Sequence, residues 1–170
     1  GRGTKTTITL SFQAVPKEQI PEEPKDKKQQ ILHKMKGRRV LLAEDNEINR
    51  EIVREMIASL ITVEMDEVDD GQAAVEKIAS SPEGYYDLVL MDIQMPRLNG
   101  YEATRQIRQL KRADVKTLPI IAMTANAFDE DVRLALQAGM NAHFAKPIDI
   151  QRLAEILLQF LTKSHRQGND

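Results

Sequence analysis

The 170-residue chain carries a formal net charge of −2, with 41% hydrophobic and 29% charged residues, the balance of a soluble globular domain with room for a tail. It has no cysteine, which excludes disulfides and thiolate zinc sites and is compatible with a reducing cytosol. With no Trp, three Tyr and four Phe, near-neutral charge leaves neither a field nor a stacking platform for nucleic acid, and no apolar run approaches the roughly 20 residues that span a bilayer. Neither nucleic acid nor a membrane is therefore expected to contact this fragment, and a cytoplasmic location is expected, with any membrane anchor of the parent protein lying upstream.

Residues 4–12 alternate, with Ile8, Leu10 and Phe12 on one face and Thr7, Thr9 and Ser11 on the other, as in a half-buried strand. Residues 14–37 change character. Pro16, Pro21 and Pro24 stand among Lys17, Glu18, Glu22, Glu23, Lys25 and Asp26, the composition of a linker that cannot bury enough surface to offset its ordering entropy.

From Arg38 the pattern becomes regular. Val40–Ala43 reads as a buried strand ending in Glu44-Asp45-Asn46, and Asn46 is a good N-cap. Ile48, Ile52, Met56, Ile57 and Leu60 then fall at helical spacing. Residues 63–68 alternate in the manner of an edge strand. Asp70-Gly71 opens a helix carrying Ala74, Val75 and Ile78. Leu88-Val89-Leu90-Met91 is a continuous apolar run, the mark of a strand buried on both faces. It stops at Asp92, and Pro96 and Asn99-Gly100 follow as turn signals. A helix through Ala103 and Ile107 leads to a second buried strand, Pro119–Met123, ending at Thr124. Val132, Ala135 and Leu136 mark a helix closed by Gly139. His143-Phe144-Ala145 is a short strand before Lys146-Pro147, and Asp149 caps a last helix with Ile150, Leu153, Ile156, Leu157, Phe160 and Leu161 on its inner face. The tail from residue 164 is polar.

Five strands alternating with five helices imply an α/β fold with a parallel sheet covered on both faces. The polar alternation of 63–68 places that strand at an edge, which favours the flavodoxin-like doubly wound order 2-1-3-4-5. The C-terminal ends of parallel strands share one rim, and here that rim collects Glu44, Asp45, Asp92, Thr124 and Lys146. Three carboxylates in one place need a cation. Oxygen donors with room for water and phosphate suit Mg2+, with Mn2+ as a substitute. A carboxylate nucleophile, a metal, a lysine and a hydroxyl are the parts needed to form an aspartyl phosphate.

The set Glu44-Asp45-Asn46, Met91-Asp92-Ile93-Gln94-Met95-Pro96, Met123-Thr124-Ala125 and Lys146-Pro147 resembles the receiver domain of two-component response regulators, over about residues 38–163. Its wording is similar to receivers at the C-terminus of hybrid sensor histidine kinases. Gly1-Arg2-Gly3-Thr4 and the alternating stretch to residue 13 resemble the closing strand of a histidine-kinase ATP-binding domain, so residues 1–13 are expected to be its remnant inside a longer chain. The resemblance implies that Asp92 accepts a phosphoryl group from the phosphohistidine of a histidine kinase or a histidine phosphotransfer protein. It further implies that Asp45, Glu44, Asp92 and the backbone carbonyl of Gln94 hold Mg2+, directly or through water. Lys146 would pair with the phosphoryl oxygens, and the Lys146–Pro147 bond would be cis. Thr124 and Phe144 would form the switch, Gln94 and Asn126 would tune the lifetime of the phosphate, and the last strand–helix units would offer a dimer surface. The fragment has no kinase core and would catalyse only its own phosphorylation. The junction Leu60-Ile61-Thr62 departs from the family, which often has a glycine there, and Phe144 lacks the hydroxyl of the commoner tyrosine.

Two other functions fit parts of the same sequence. A haloacid-dehalogenase-like phosphatase also uses an aspartyl phosphate, but it needs a second Asp two residues after the nucleophile, where Gln94 stands. A docking module with a silent site would have no need of the acidic set. His33, His143 and His165 have no ligand spacing, and Lys34 after His33 is not the acidic residue usual beside a phosphorylated kinase histidine.

Overall fold

Strand and helix alternate throughout the computed structural model, which describes residues 36–125 and 129–162. The elements are β1 (Arg39–Ala43), α1 (Glu47–Leu60), β2 (Glu64–Val68), α2 (Gly71–Ser80), β3 (Leu88–Asp92), α3 (Gly100–Gln109), a 3-10 turn (Asp114–Lys116), β4 (Ile120–Thr124), α4 (Asp129–Ala138), β5 (Ala142–Ala145) and α5 (Ile150–Leu161). The strand expected at residues 4–12, the linker to residue 35, Asn126 and the tail lie outside the described residues.

All four strand pairings are parallel, in the order β2-β1-β3-β4-β5. The order follows from hydropathy. Every residue of β3 and β4 is buried, as an interior strand between two helical layers requires. β2 contains Glu64, Asp66 and Glu67, is only half-buried, and stands at the edge. Alternation along each strand divides the core in two. Leu41, Val89, Met91, Ile120 and Ala122 face Ala74, Val75 and Ile78 of α2, Ala103 and Ile107 of α3, and Ala135 of α4. Val40, Leu42, Leu90, Ile121, Met123 and Phe144 face Val53 and Ile57 of α1 and Leu153, Ile156 and Leu157 of α5.

The helices start where side-chain caps satisfy free N–H groups. Asn46 accepts from the N–H of Asn49, Asp70 from Ala73, Asn99 from Glu102, and Asp149 from both Gln151 and Arg152. Helix α4 ends as its glycine predicts. Gly139 has φ +95, its N–H donates to Leu136 O at 3.0 Å, and the next N–H, of Met140, donates to Ala135 O at 3.0 Å. At Leu60-Ile61-Thr62 no left-handed glycine is needed: Ile61 leaves the helix in extended conformation, with its N–H still bonded to Ile57 O.

Three stretches differ from the periodicity. Leu136 of α4 is 58% exposed. Ile48 and Ile52 are 68% and 46% exposed, and the stripe that α1 buries is carried by Val53 together with the expected Ile57. Ile150 is 42% exposed, because it is the first residue of α5 and precedes the turn that reaches the sheet. Among the described residues no helix is long and apolar enough to cross a membrane.

Backbones approach closely where β3 turns into α3. The N–H of Gly100 donates to Ile93 O at 3.0 Å, and a Cβ at residue 100 would lie 2.2 Å from the carbonyl oxygen of Asp92. Gly100→Ala is therefore expected to destabilise the domain by about 1–3 kcal/mol through overpacking against rigid backbone. Asn99→Ala, which removes only a cap, should cost about 1 kcal/mol. Urea unfolding of the two variants checks both the values and their order.

Candidate functional site

Three strand ends converge at the C-terminal rim of the sheet. Asp92 is the last residue of β3 and is 3% exposed. Glu44 follows β1 and is fully buried, while Asp45 beside it is exposed. Carboxylate oxygens of Glu44, Asp45 and Asp92 lie within 4.8 Å of one another. Lys146 arrives from β5, and its Nζ donates to Glu44 Oε2 at 2.5 Å and to Asp92 Oδ2 at 2.6 Å. The other carboxylate oxygens also have partners. Glu44 Oε1 accepts from Asn49 Nδ2 at 2.9 Å, and Asp92 Oδ1 accepts from the N–H of Gln94 at 3.2 Å.

The remaining predicted positions surround this group. Thr124 ends β4, is 6% exposed, and accepts through its carbonyl the N–H of Lys146 at 2.8 Å. That bond carries the ladder one step past β5 and sets where the lysine leaves the sheet. Phe144 lies opposite Met123 in the β4–β5 register with its ring buried. The Lys146–Pro147 peptide is cis. Gln94 is exposed on the loop after Asp92, and Asn126 lies outside the described residues.

The loop from Asp92 to Gly100 is held at several points. Arg97 adopts φ +63 and forms ion pairs with Asp69 and with Asp70, the buried cap of α2. The N–H of Gly71 donates to Leu98 O at 3.2 Å, and a Cβ on Gly71 would lie 2.2 Å from that same oxygen. Sequence reasoning read Asn99-Gly100 as a turn and Asp70-Gly71 as the start of a helix, and did not find these ties. It also missed Asn49 and Arg50, whose place on the first turn of α1 faces the acidic pair.

Burial sets the electrostatics. Loss of water, reinforced by the nearby charge of Glu44, pushes the Asp92 carboxyl up to about 6 against the pull of Lys146 and the Gln94 N–H. For Lys146, burial alone would lower the pKa, but its hydrogen bonds to Asp92 and Glu44 outweigh burial and raise it. One ammonium group thus faces three carboxylates. The donors are all hard oxygens, and Asp45 opens the cluster to solvent, which fits a small divalent cation such as Mg2+.

Because the folded pKa of Asp92 is raised, its contribution favours the native state fully below the unfolded value of 3.8 and is lost as the pH rises through about 6. In metal-free protein, Asp92→Asn should therefore raise stability at pH 7.5 by roughly 1–3 kcal/mol, and the gain should vanish below pH 4. Chemical unfolding at several pH values measures this, and carbon NMR of the carboxyl should place its midpoint near 6.

Comparison with known proteins agrees with this geometry. The sequence model of the family described as "Response regulator receiver domain" matches residues 40–158. The chain is 40% identical over 130 residues to "Probable histidine kinase 2" of Oryza sativa subsp. indica, covering 70% of this chain but only 12% of that protein's length. It is 39% identical over 125 residues to "Two-component response regulator ORR41" of Oryza sativa subsp. japonica, covering 72% of this chain and 93% of that one. Among solved structures it is similar to the receiver domain of sensor histidine kinase PA1611 from Pseudomonas aeruginosa PAO1, with magnesium ion coordinated in the active site cleft: TM-score 0.65, 40% identity, 74% of this chain and 98% of that one. It is also similar to a complex of the Saccharomyces cerevisiae histidine phosphotransfer protein Ypd1 with the receiver domain of Ssk1, at TM-score 0.65 and 30% identity, with 73% and 88% covered. A flavodoxin-like sheet with its acids and lysine on one rim, matched over most of its length by these proteins, makes this chain a member of the response regulator receiver family.

Proposed function

We propose that this chain is the phosphoacceptor receiver of a two-component phosphorelay within a hybrid sensor histidine kinase, and that Asp92 takes the phosphoryl group. The observation that carries this reading is the buried Asp92 carboxylate, bonded to Lys146 at 2.6 Å and within 4.8 Å of two further acids at the end of an interior strand. An oxygen of Asp92 attacks the phosphorus of a phosphohistidine. The new O–P bond forms as the P–N bond breaks, and the imidazole nitrogen leaves with the bonding pair. Phosphoryl transfer needs little covalent help from protein, so alignment and charge placement carry the catalysis. Mg2+ held by Asp45, Glu44, Asp92 and the Gln94 carbonyl would supply positive charge to the transferring oxygens. Lys146 is already on the same rim, able to trade a carboxylate for a phosphoryl oxygen.

The donor needs a place to sit. Ile48 and Ile52 project from α1 into solvent, and a shallow groove beside them is lined by Asn49, Ile52, Met56, Lys146, Pro147 and Ile148. A helix presenting a histidine fits such a groove, with apolar contacts beside the lysine that faces Asp92. The 30% identical Ssk1 receiver, solved with a phosphotransfer protein, supports a donor of that class. Once Asp92 is modified, the Thr124 hydroxyl binds the phosphoryl group and Phe144 repacks behind it, altering the surface of the last strand–helix units by packing alone. Gln94 and, by the family resemblance, Asn126 tune the lifetime of the phosphoryl group.

Incubation with Mg2+ and a small phosphodonor should add one phosphoryl group, measured by intact mass, in a form cleaved by hydroxylamine. Asp92→Asn should show no increment. An equal, hydroxylamine-sensitive increment in that variant would place the phosphoryl group elsewhere and end this reading.

A further inference from the structure

Each acid of the site is oriented by a different means. The carboxylate of Glu44 is gripped through its own oxygens, by Asn49 at 2.9 Å and by Lys146 at 2.5 Å. Asp92 is fixed by its strand, by Lys146 and by the Gln94 N–H. Asp45 is exposed, and it lies just past the last rung of the β1–β2 ladder, in which Glu44 N–H donates to Val68 O at 3.1 Å. Its carboxylate direction therefore depends on the backbone of residues 44–45.

That backbone is held by one side chain. Arg50 Nη1 donates to Glu44 O at 2.6 Å and to Asp45 O at 3.1 Å. The arginine is braced at Nε by Glu67 Oε2 on β2, 3.8 Å away, and its side chain is 18% exposed. Arg54, one turn further along α1, pairs with the same Glu67 at 3.1 Å, from a more exposed position. One guanidinium nitrogen, Nη1, bridges the two successive carbonyls while Nε faces Glu67, and the single ammonium of a lysine on its flexible stem cannot hold both ends of that arrangement.

Resting on the reading of the acidic cluster as a Mg2+ site, we propose that Arg50 is a positioning residue for that site. It clamps the carbonyls of Glu44 and Asp45 so that Asp45 points at Asp92. The idea has a distinctive sign. Arg50 is itself a cation, and by charge alone it repels a dication. If charge were its only influence, its removal would tighten Mg2+ binding. If it acts by positioning, its removal weakens binding, and salt that screens exposed charges does not erase the loss.

The test is calorimetric titration of Mg2+ into the metal-free 170-residue chain, at low and high salt. Arg50→Gln should bind about tenfold more weakly, in the range seen when a partner behind a metal ligand is removed. Arg50→Lys, which keeps the charge but not the separate anchor at Glu67, should recover part of the affinity. Arg54→Gln, which loses the Glu67 pair but touches neither carbonyl, should bind within about twofold of wild type, the spread expected of a surface ion pair. Thermal midpoints in chelator report separately on stability. Equal or tighter binding by Arg50→Gln overturns the proposal, as does an equal loss in Arg54→Gln. If Arg50→Gln does not fold, the lysine variant decides, and wild-type affinity there overturns it too. Should wild type itself take up no Mg2+, the reading of the acidic cluster falls as well; a failure confined to the arginine variants leaves that reading standing.

Discussion

The structure is organised around a carboxylate buried against a single lysine. Asp92 ends the central strand, where water is scarce and an unpaired charge is expensive. Lys146 compensates it in part, but its ammonium is shared with Glu44, and Asp45 stands unneutralised close by. The cluster is therefore short of positive charge by construction. A fully compensated pair would be a structural ion pair; an undercompensated one at a strand end invites a cation and then an anionic ligand.

The strand order makes this arrangement possible. β1 and β3 are neighbours, so Ala43 and Met91 stand in register and the residues that follow them meet. β4 separates β3 from β5, yet the Lys146 side chain crosses the intervening strand end to reach Asp92. Here Thr124 is well placed. Its carbonyl fixes the start of the crossing, and its side chain lies on the same rim. The loops are held by separate anchors: Arg50 grips the loop after β1, while Arg97 and two tightly packed glycines hold the loop after β3. Chemistry that depends on the placement of charge needs such rigidity, because small displacements change Coulomb energies steeply at short range.

The two faces of the sheet are unequal. The face covered by α2, α3 and α4 buries a continuous cluster and leaves Leu136 of α4 outside, 58% exposed. The face covered by α1 and α5 also buries one, but α1 leaves Ile48 and Ile52 outside, next to the groove that leads to Lys146.

Much of this was legible in the sequence, because the signals concerned are local. Continuous apolar runs identified β3 and β4 as interior, polar alternation put β2 at the edge, and Asn46, Asp70 and Asp149 announced helix starts. A parallel sheet then places every strand's C-terminal end on one rim, so the meeting of Glu44, Asp45, Asp92, Thr124 and Lys146 follows from strand polarity together with the strand order. What periodicity could not tell was which apolar residues of α1 and α5 turn inward, since that depends on how each helix lies across a twisted sheet: Ile48, Ile52 and Ile150 fit the helical spacing and are exposed. Nor could spacing show that Arg50 reaches two carbonyls at the end of β1, or that Gly71 and Gly100 are required by backbone oxygens from other loops. Those contacts join parts of the chain whose distance is settled only when the helices pack, so tertiary structure alone decided them.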